Sequence, residues 1–316
     1  MRRLTKADLL ILAVVLIWGS VFSVIKYTLQ EIGPLAFATA RFLGASILLL
    51  ALVYLMEGRP IIKREDWPRV AVVGLSGIGI YQICFTLGLN YTTASNSSLI
   101  IATSPVFAAL FAWLLGEEAI TPRQIVGILL SLVGVTIIVR AGSEGLALTW
   151  ENLRGDALTL MAAVFNAFSA VIAKRPLERY SSLRVTTVSM IFGTLFLLLF
   201  GWRPLLTYPW AHLSLQGWLG LGYAILLAGV IAYVLWFHAI GELGATRTLV
   251  YGSLIPIVAV LVAVLTLGEQ FTALHALGAL IVFVGIALAR LAPPRTIPRE
   301  RRAEMLIKGS GDGDRG

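Results

Sequence analysis

Ten long apolar runs, separated by short polar punctuation, account for most of the chain. The first five are Ala7–Tyr27, Pro34–Met56, Trp67–Asn90, Thr93–Leu115 and Thr121–Arg140. The second five are Gly155–Lys174, Leu183–Trp202, Leu215–Ile240, Ala245–Leu267 and Thr272–Leu291. Each lies near the ~20 residues that an α-helix needs to cross a bilayer, and Gly, Pro and charged residues fill the gaps. The pattern predicts an all-α polytopic membrane protein with ten transmembrane helices. Composition agrees: 58% of residues are hydrophobic and only 13% charged, where a soluble domain carries about 25% charged residues.

Within this pattern one frame occurs twice. Pro105, Glu118, Gly127 and Gly134 return in register as Pro256, Glu269, Gly278 and Gly285, and residues 94–139 match 245–290 at 12 of 46 positions without a gap. Apolar composition alone explains the leucine matches but not the Pro, Glu and Gly ones. The frame therefore reads as an internal repeat, first copy about 7–140 and second about 155–291, within one transmembrane domain over 1–292. With both termini on the cytoplasmic side, the inner face would hold 20 of the 25 Lys and Arg residues, as the positive-inside rule requires. Five helices per copy is an odd number, so the two copies enter from opposite sides. Inverted repeats of this kind build alternating-access carriers with the solute held between the halves. The polar tail, 293–316, is expected to be disordered.

Charge and special residues narrow the function. The net charge of +8 sits in short loops between apolar runs, so it reads as helix-flanking charge and no nucleic-acid partner is expected. Cys84 is the sole cysteine, which excludes an intrachain disulfide and a cysteine-rich metal site. The basic N-terminus before Leu9–Ile25 looks like a signal peptide, but the run is long and no clear cleavage pattern follows, so it is taken as a retained first helix. There is no Walker or GxGxxG loop, and His212, His238 and His275 are widely separated with no HExxH. ATP-driven transport within this chain is excluded on that ground, and no cofactor or metal is expected. A membrane-embedded enzyme remains the alternative of another class, and a pure scaffold a third.

Several residues are candidates for a solute site. Pro105 and Pro256 fall near the centres of their segments, where proline is expected to kink a helix and free a carbonyl. Gly127, Ser131, Gly134, Gly278 and Gly285 form small-residue faces suited to close helix packing; a homodimer through that face is the alternative to a monomer. Arg41 lies seven residues into the second segment, where a charge costs roughly 2.5–3.5 kcal/mol on insertion scales. It either neutralises a solute carboxylate or holds a carbonyl or gate. Lys26 is at a segment end and is expected to snorkel; Glu118 and Glu269 are expected to close hydrogen bonds. The first five segments hold no central Asp or Glu, which suits an anionic or zwitterionic solute better than a cation, although a multidrug or cationic-compound exporter stays open. His238 and Glu242, four apart, are the best local pair for proton handling. Trp18, Ser20, Tyr81, Gln82, Phe85, Asn96, Asn166, Ser169, Tyr233, Trp236 and Tyr251 supply rings and polar handles for an amphipathic solute.

The chain resembles the EamA family of the drug/metabolite transporter superfamily over essentially all of 7–291. The residues carrying the resemblance are Trp18-Gly19-Ser20 with Lys26, Ala40-Arg41-Phe42, Pro105 through Gly116-Glu117-Glu118, and then Gln124, Gly127 and Gly134. The resemblance implies a ten-helix, two-repeat exporter of amino acids or other small metabolites in the bacterial inner membrane. The chain's aromatic content points, within that family, to an aromatic amino acid. It departs from the family pattern at Asn166-Ala167, where a counterpart of Trp18 is expected.

Overall fold

A computed structural model describes residues 6–116, 118–119, 121–141, 150–236, 251–252, 254–291 and 295–296. The first two spans are single helices, α1 (Lys6–Thr28) and α2 (Pro34–Glu57). The third is composite: α3 (Trp67–Gly74) runs through a π-helical turn at Leu75–Ile80 into α4 (Tyr81–Tyr91). The fourth is broken into α5 (Ala94–Ile101) and α6 (Ser104–Leu114). Next come α7 (Pro122–Ala141), α8 (Trp150–Arg179) and α9 (Ser182–Thr207). α10 (Leu215–Gly222) enters a second π-helical segment, Tyr223–Ile231, and the described helix continues to Trp236. α11 (Ile255–Leu267) and α12 (Ala273–Leu291) are the last described helices. Among the described residues, eight helices are long and apolar enough to cross a membrane, and two shorter apolar ones follow at Ile255–Leu267 and Ala273–Leu288. Among the described residues the only strands are Glu118–Ala119 and Arg295–Thr296, paired antiparallel. His238 and Glu242 lie outside the described residues.

The helix starts follow local chemistry. Thr93, Ser181 and Ser214 each accept a backbone N–H three residues on, the N-cap arrangement. A reciprocal capping box opens both α7 and α12 at the repeat offset. Thr121 N–H donates to Gln124 Oε1 (2.8 Å), and Thr272 N–H donates to His275 Nδ1 (3.1 Å). His275 is thus a cap. α8 outruns its apolar stretch at both ends, because backbone bonding continues through polar turns that hydropathy alone does not mark.

Packing pairs the halves crosswise. α7 packs along α12 and α2 along α9, while α1 meets α11 as α8 meets α6. α4 packs along α8, and the π segment after α10 packs along α1 in the corresponding place. At the α7–α12 crossing, a Cβ on Gly134 would stand 2.8 Å from the Gly278 carbonyl, and one on Gly285 would stand 2.6 Å from the Gly127 carbonyl. The small-residue faces are therefore spent on each other inside the chain, in the way glycine lets membrane helices approach.

The expected proline kinks are different in kind. Pro105 and Pro256 are central to their spans, but neither bends a continuous helix. Each stands in the first turn of a half-helix, α6 and α11, after a break at Ala102–Thr103 and at Leu254. A first-turn N–H has no intrahelical acceptor, so proline costs little there, while it disfavours helix at the residue before it.

Candidate functional site: a cavity between the halves

The two composite spans frame a central cavity of about 530 Å³. Trp18, Arg41, Tyr81, Gln82 and Phe85 line it from the first half. Asn166, Ser169, Tyr233 and Trp236 line it from the second. This is within the ~300–1,000 Å³ of small-molecule sites. An adjoining space of about 250 Å³ shares Phe22, Asn166 and Trp236 with it and has both Pro105 and Pro256 in its wall. The two helix breaks thus meet at one place.

The π-helical segments explain how the polar groups are held. A π turn shifts the backbone bonding register and releases carbonyls from the usual i→i−4 pattern. In the second segment, the Ala224 carbonyl accepts Arg41 Nε–H (3.3 Å) and the Ala228 carbonyl accepts Trp18 Nε1–H (3.1 Å). Trp18 meets Tyr233 edge-on at 5.3 Å and Trp236 at 5.1 Å between ring centroids. Tyr81 stacks on Phe85 at 5.7 Å, and Phe85 meets Phe22 edge-on. Arg41 is 7% exposed, its guanidinium 4.9 Å from the Phe42 ring. No Asp, Glu or His is among the described residues lining the cavity.

Three expected cavity residues stand elsewhere. Ser20 donates to the Leu16 carbonyl and bonds Tyr223 Oη (2.6 Å), so it joins α1 to the π segment. Asn96 is buried in the first turn of α5, and Tyr251 packs in an apolar cluster with Ile11, Val14 and Trp236. A hydroxyl or amide in a lipid-embedded helix finds the nearest backbone or side-chain partner first.

The cavity lining extends to Leu177 near one end of α8, where that residue is 41% exposed. Toward the other end the bundle is sealed: Ile25, Leu89 and Ala94 are each 0% exposed. A polar clamp holds that seal on the turn between α4 and α5. Lys26 does not snorkel; its Nζ donates to the carbonyls of Leu89, Asn90 and Thr92 at 2.8, 3.1 and 2.6 Å. Glu269 accepts the N–H groups of Ala94 (2.7 Å) and Ser95 (2.9 Å), closing the α5 N-terminus as expected of a helix-end glutamate. Thr92 Oγ1 donates to Asp156 on α8, which Asn96 also bonds. Asp156 is 4% exposed and was not among the sequence candidates. The signal for it was a lone acid at the start of the sixth apolar run. Nearby, Glu31 accepts from Ser214 Oγ and N–H, and these bonds hold its carboxyl below the usual carboxylate range. A separate ion-pair cluster joins the α2–α3 and α8–α9 loops at the opposite end. There Arg179 and Tyr180 donate to Asp66, and Arg184 pairs with Glu57.

Comparison with known proteins places this arrangement. The model of the EamA-like transporter family matches residues 5–140 and 153–291. An uncharacterized transporter of Archaeoglobus fulgidus is 32% identical over 284 residues, 90% of this chain and 97% of that one. A protein of Streptantibioticus cattleyicolor, described as a probable terminal-alkyne amino-acid exporter, is 31% identical over 304 residues, 95% of this chain and 98% of that one. A crystal structure shares the fold with a TM-score of 0.61 at 22% identity, covering 90% of this chain and 96% of that one.

Proposed function

The chain belongs to the EamA-like transporter family, and on that premise we propose that it exports amino acids or related small metabolites by alternating access. In this reading ten helices form two inverted five-helix repeats in a bacterial inner membrane, with both termini cytoplasmic. The observation that carries it is the central cavity, which has largely apolar walls, is lined by both halves, and contains one buried guanidinium that faces no acidic residue among the described lining. A fixed buried cation is costly without a counter-charge, and a solute carboxylate supplies one. The unequal ends of the cavity support an inward-facing state. The end that Leu177 reaches carries Arg59 and Lys63 in the loop after α2 and Lys174 and Arg175 in the last turns of α8, the basic side of the charge bias. The relative described as a probable terminal-alkyne amino-acid exporter favours the same solute class. A cation exporter is the lesser reading, since Arg41 would repel a cation and no described lining residue is acidic.

The test is solute flux in proteoliposomes across amino acids, sugars and organic cations, with and without a pH gradient. Carboxylate-bearing solutes are expected to move and Arg41→Gln to abolish their flux. Absence of flux for every class, or full carboxylate flux in Arg41→Gln, would overturn the reading.

A further inference from the structure

The polar side chains that line the cavity are not equally available to a solute. Asn166 Nδ2 donates to Ser104 Oγ (3.3 Å), Ser169 Oγ to the Val73 carbonyl (3.3 Å) and Trp18 Nε1 to the Ala228 carbonyl (3.1 Å). Trp18 and Ser169 are thereby committed to the protein, and Asn166 is held through its NH₂. Arg41 donates through its Nε to the Ala224 carbonyl. Gln82 differs from them: it lines the cavity, is 6% exposed, and its buried Oε1 accepts no hydrogen bond among the described residues. Buried polar atoms are almost always partnered, so an unpartnered amide in a cavity wall marks where a partner arrives.

Its position fits a second anchor beside the guanidinium. Gln82 follows Tyr81 directly after the first π-helical turn, and both line the same cavity as Arg41 and Tyr233. The guanidinium offers donors only, so it takes the carboxylate and cannot serve an amine. An ammonium brings three donors and needs acceptors once it leaves water. With no carboxylate in the described lining, a neutral carbonyl must do this, and turning the Gln82 amide about its last bond presents Oε1 to the cavity. The faces of Trp18, Tyr233 and Trp236 add cation–π attraction within ~6 Å.

We propose that Gln82 reads the amino group of the solute, which makes the cavity selective for zwitterions carrying a carboxylate and an ammonium together. The proposal rests on the carrier reading above and specifies its solute class. An amine without a carboxylate meets Arg41 unshielded. A carboxylate without an amine leaves Gln82 unpaired.

The experiment is equilibrium binding to the full chain in detergent, followed by the fluorescence of Trp18 and Trp236 in the cavity wall. The probes are L-phenylalanine, phenylpyruvate and phenethylamine, with L-leucine and its keto acid as a second matched pair. The wild type is expected to bind each amino acid about tenfold or more tighter than its keto acid, and to bind phenethylamine least. In Gln82→Leu that ratio is expected to collapse to about threefold or less. In Gln82→Glu, phenethylamine gains affinity and the keto acids lose about tenfold through like-charge repulsion. Equal binding of amino and keto acids by the wild type, or a ratio retained in Gln82→Leu, overturns the role of Gln82 and leaves the carrier reading intact. Failure of every carboxylate probe to bind removes the carrier reading for these solutes, and this proposal with it.

Discussion

Glu269→Ala removes the one carboxylate that closes the N-terminus of α5. Its oxygens accept the Ala94 and Ser95 N–H groups, first-turn donors with no intrahelical acceptor. Ala94 and Ser95 are 0% and 2% exposed, so water does not replace the lost partner. An unsatisfied buried donor costs about 1–3 kcal/mol, which puts the pair at about 2–6 kcal/mol. Glu269→Gln keeps one acceptor oxygen and turns an NH₂ toward the other donor, so it is expected to lose roughly half. Cys84 supplies the assay, because it is the sole cysteine and is 6% exposed. A thiol-reactive dye therefore reports thermal unfolding in detergent directly. The expected order of midpoints is wild type, then Gln, then Ala, with Ala lowered by at least about 4 °C at ~2–4 °C per kcal/mol. An Ala variant melting within about 1 °C of wild type would refute the capping role. Equal melting of Gln and Ala would show that charge, not the number of acceptors, holds the turn.

Lys26→Met leaves three carbonyls of the same turn without their ammonium donor; it is expected to lower the midpoint too. Combined with Glu269→Ala, its effect should depart from additivity by about 0.5 kcal/mol or more, read from a double-mutant cycle. Gly134→Ala is expected to destabilise by about 1–3 kcal/mol through its clash with the Gly278 carbonyl, whereas Gly222→Ala, with open space around its Cβ, should gain up to about 1 kcal/mol in the same melt. The depressed Glu31 carboxyl favours the folded form above its ordinary value of 4.5, and that contribution vanishes as pH falls through its lower folded value. The midpoints of wild type and Glu31→Gln should therefore differ at pH 7 and converge in acid.

The apolar runs and the matched Pro, Glu and Gly positions made the membrane-spanning fold readable, because hydrocarbon imposes length and composition strictly. Helix ends were less readable: a run of apolar residues marks the slab, while Trp150–Arg154 and Arg175–Arg179 carry α8 beyond it. The π segments left no periodic trace, since helices apolar on nearly every face have no stripe to lose register. Nine of the twelve expected solute-site residues do line the cavity, and large aromatic or amide side chains in apolar runs were the signal. Ser20 stands outside the cavity lining because its hydroxyl reaches its own backbone and Tyr223. Lys26 was misjudged because sequence position fixes its depth but not the nearby carbonyls of α4. Asp156 stands at the start of the sixth run, where a lone acid reads as a helix-end charge, so its burial is not legible in the sequence.

The π-helical turn at Leu75–Ile80 gives the third span a spare residue. An α-helix advances about 100° per residue, so one surplus residue is one quantum of phase. Deleting a residue inside Leu75–Ile80 would absorb the surplus and leave Tyr81 and Gln82 aimed as they are. Deleting one within Trp67–Gly74 would instead turn both side chains away from Arg41 by about that angle. The second π segment sets the same phase for Tyr233 and Trp236. The solute site is thus timed like two gears, each with one tooth held in reserve.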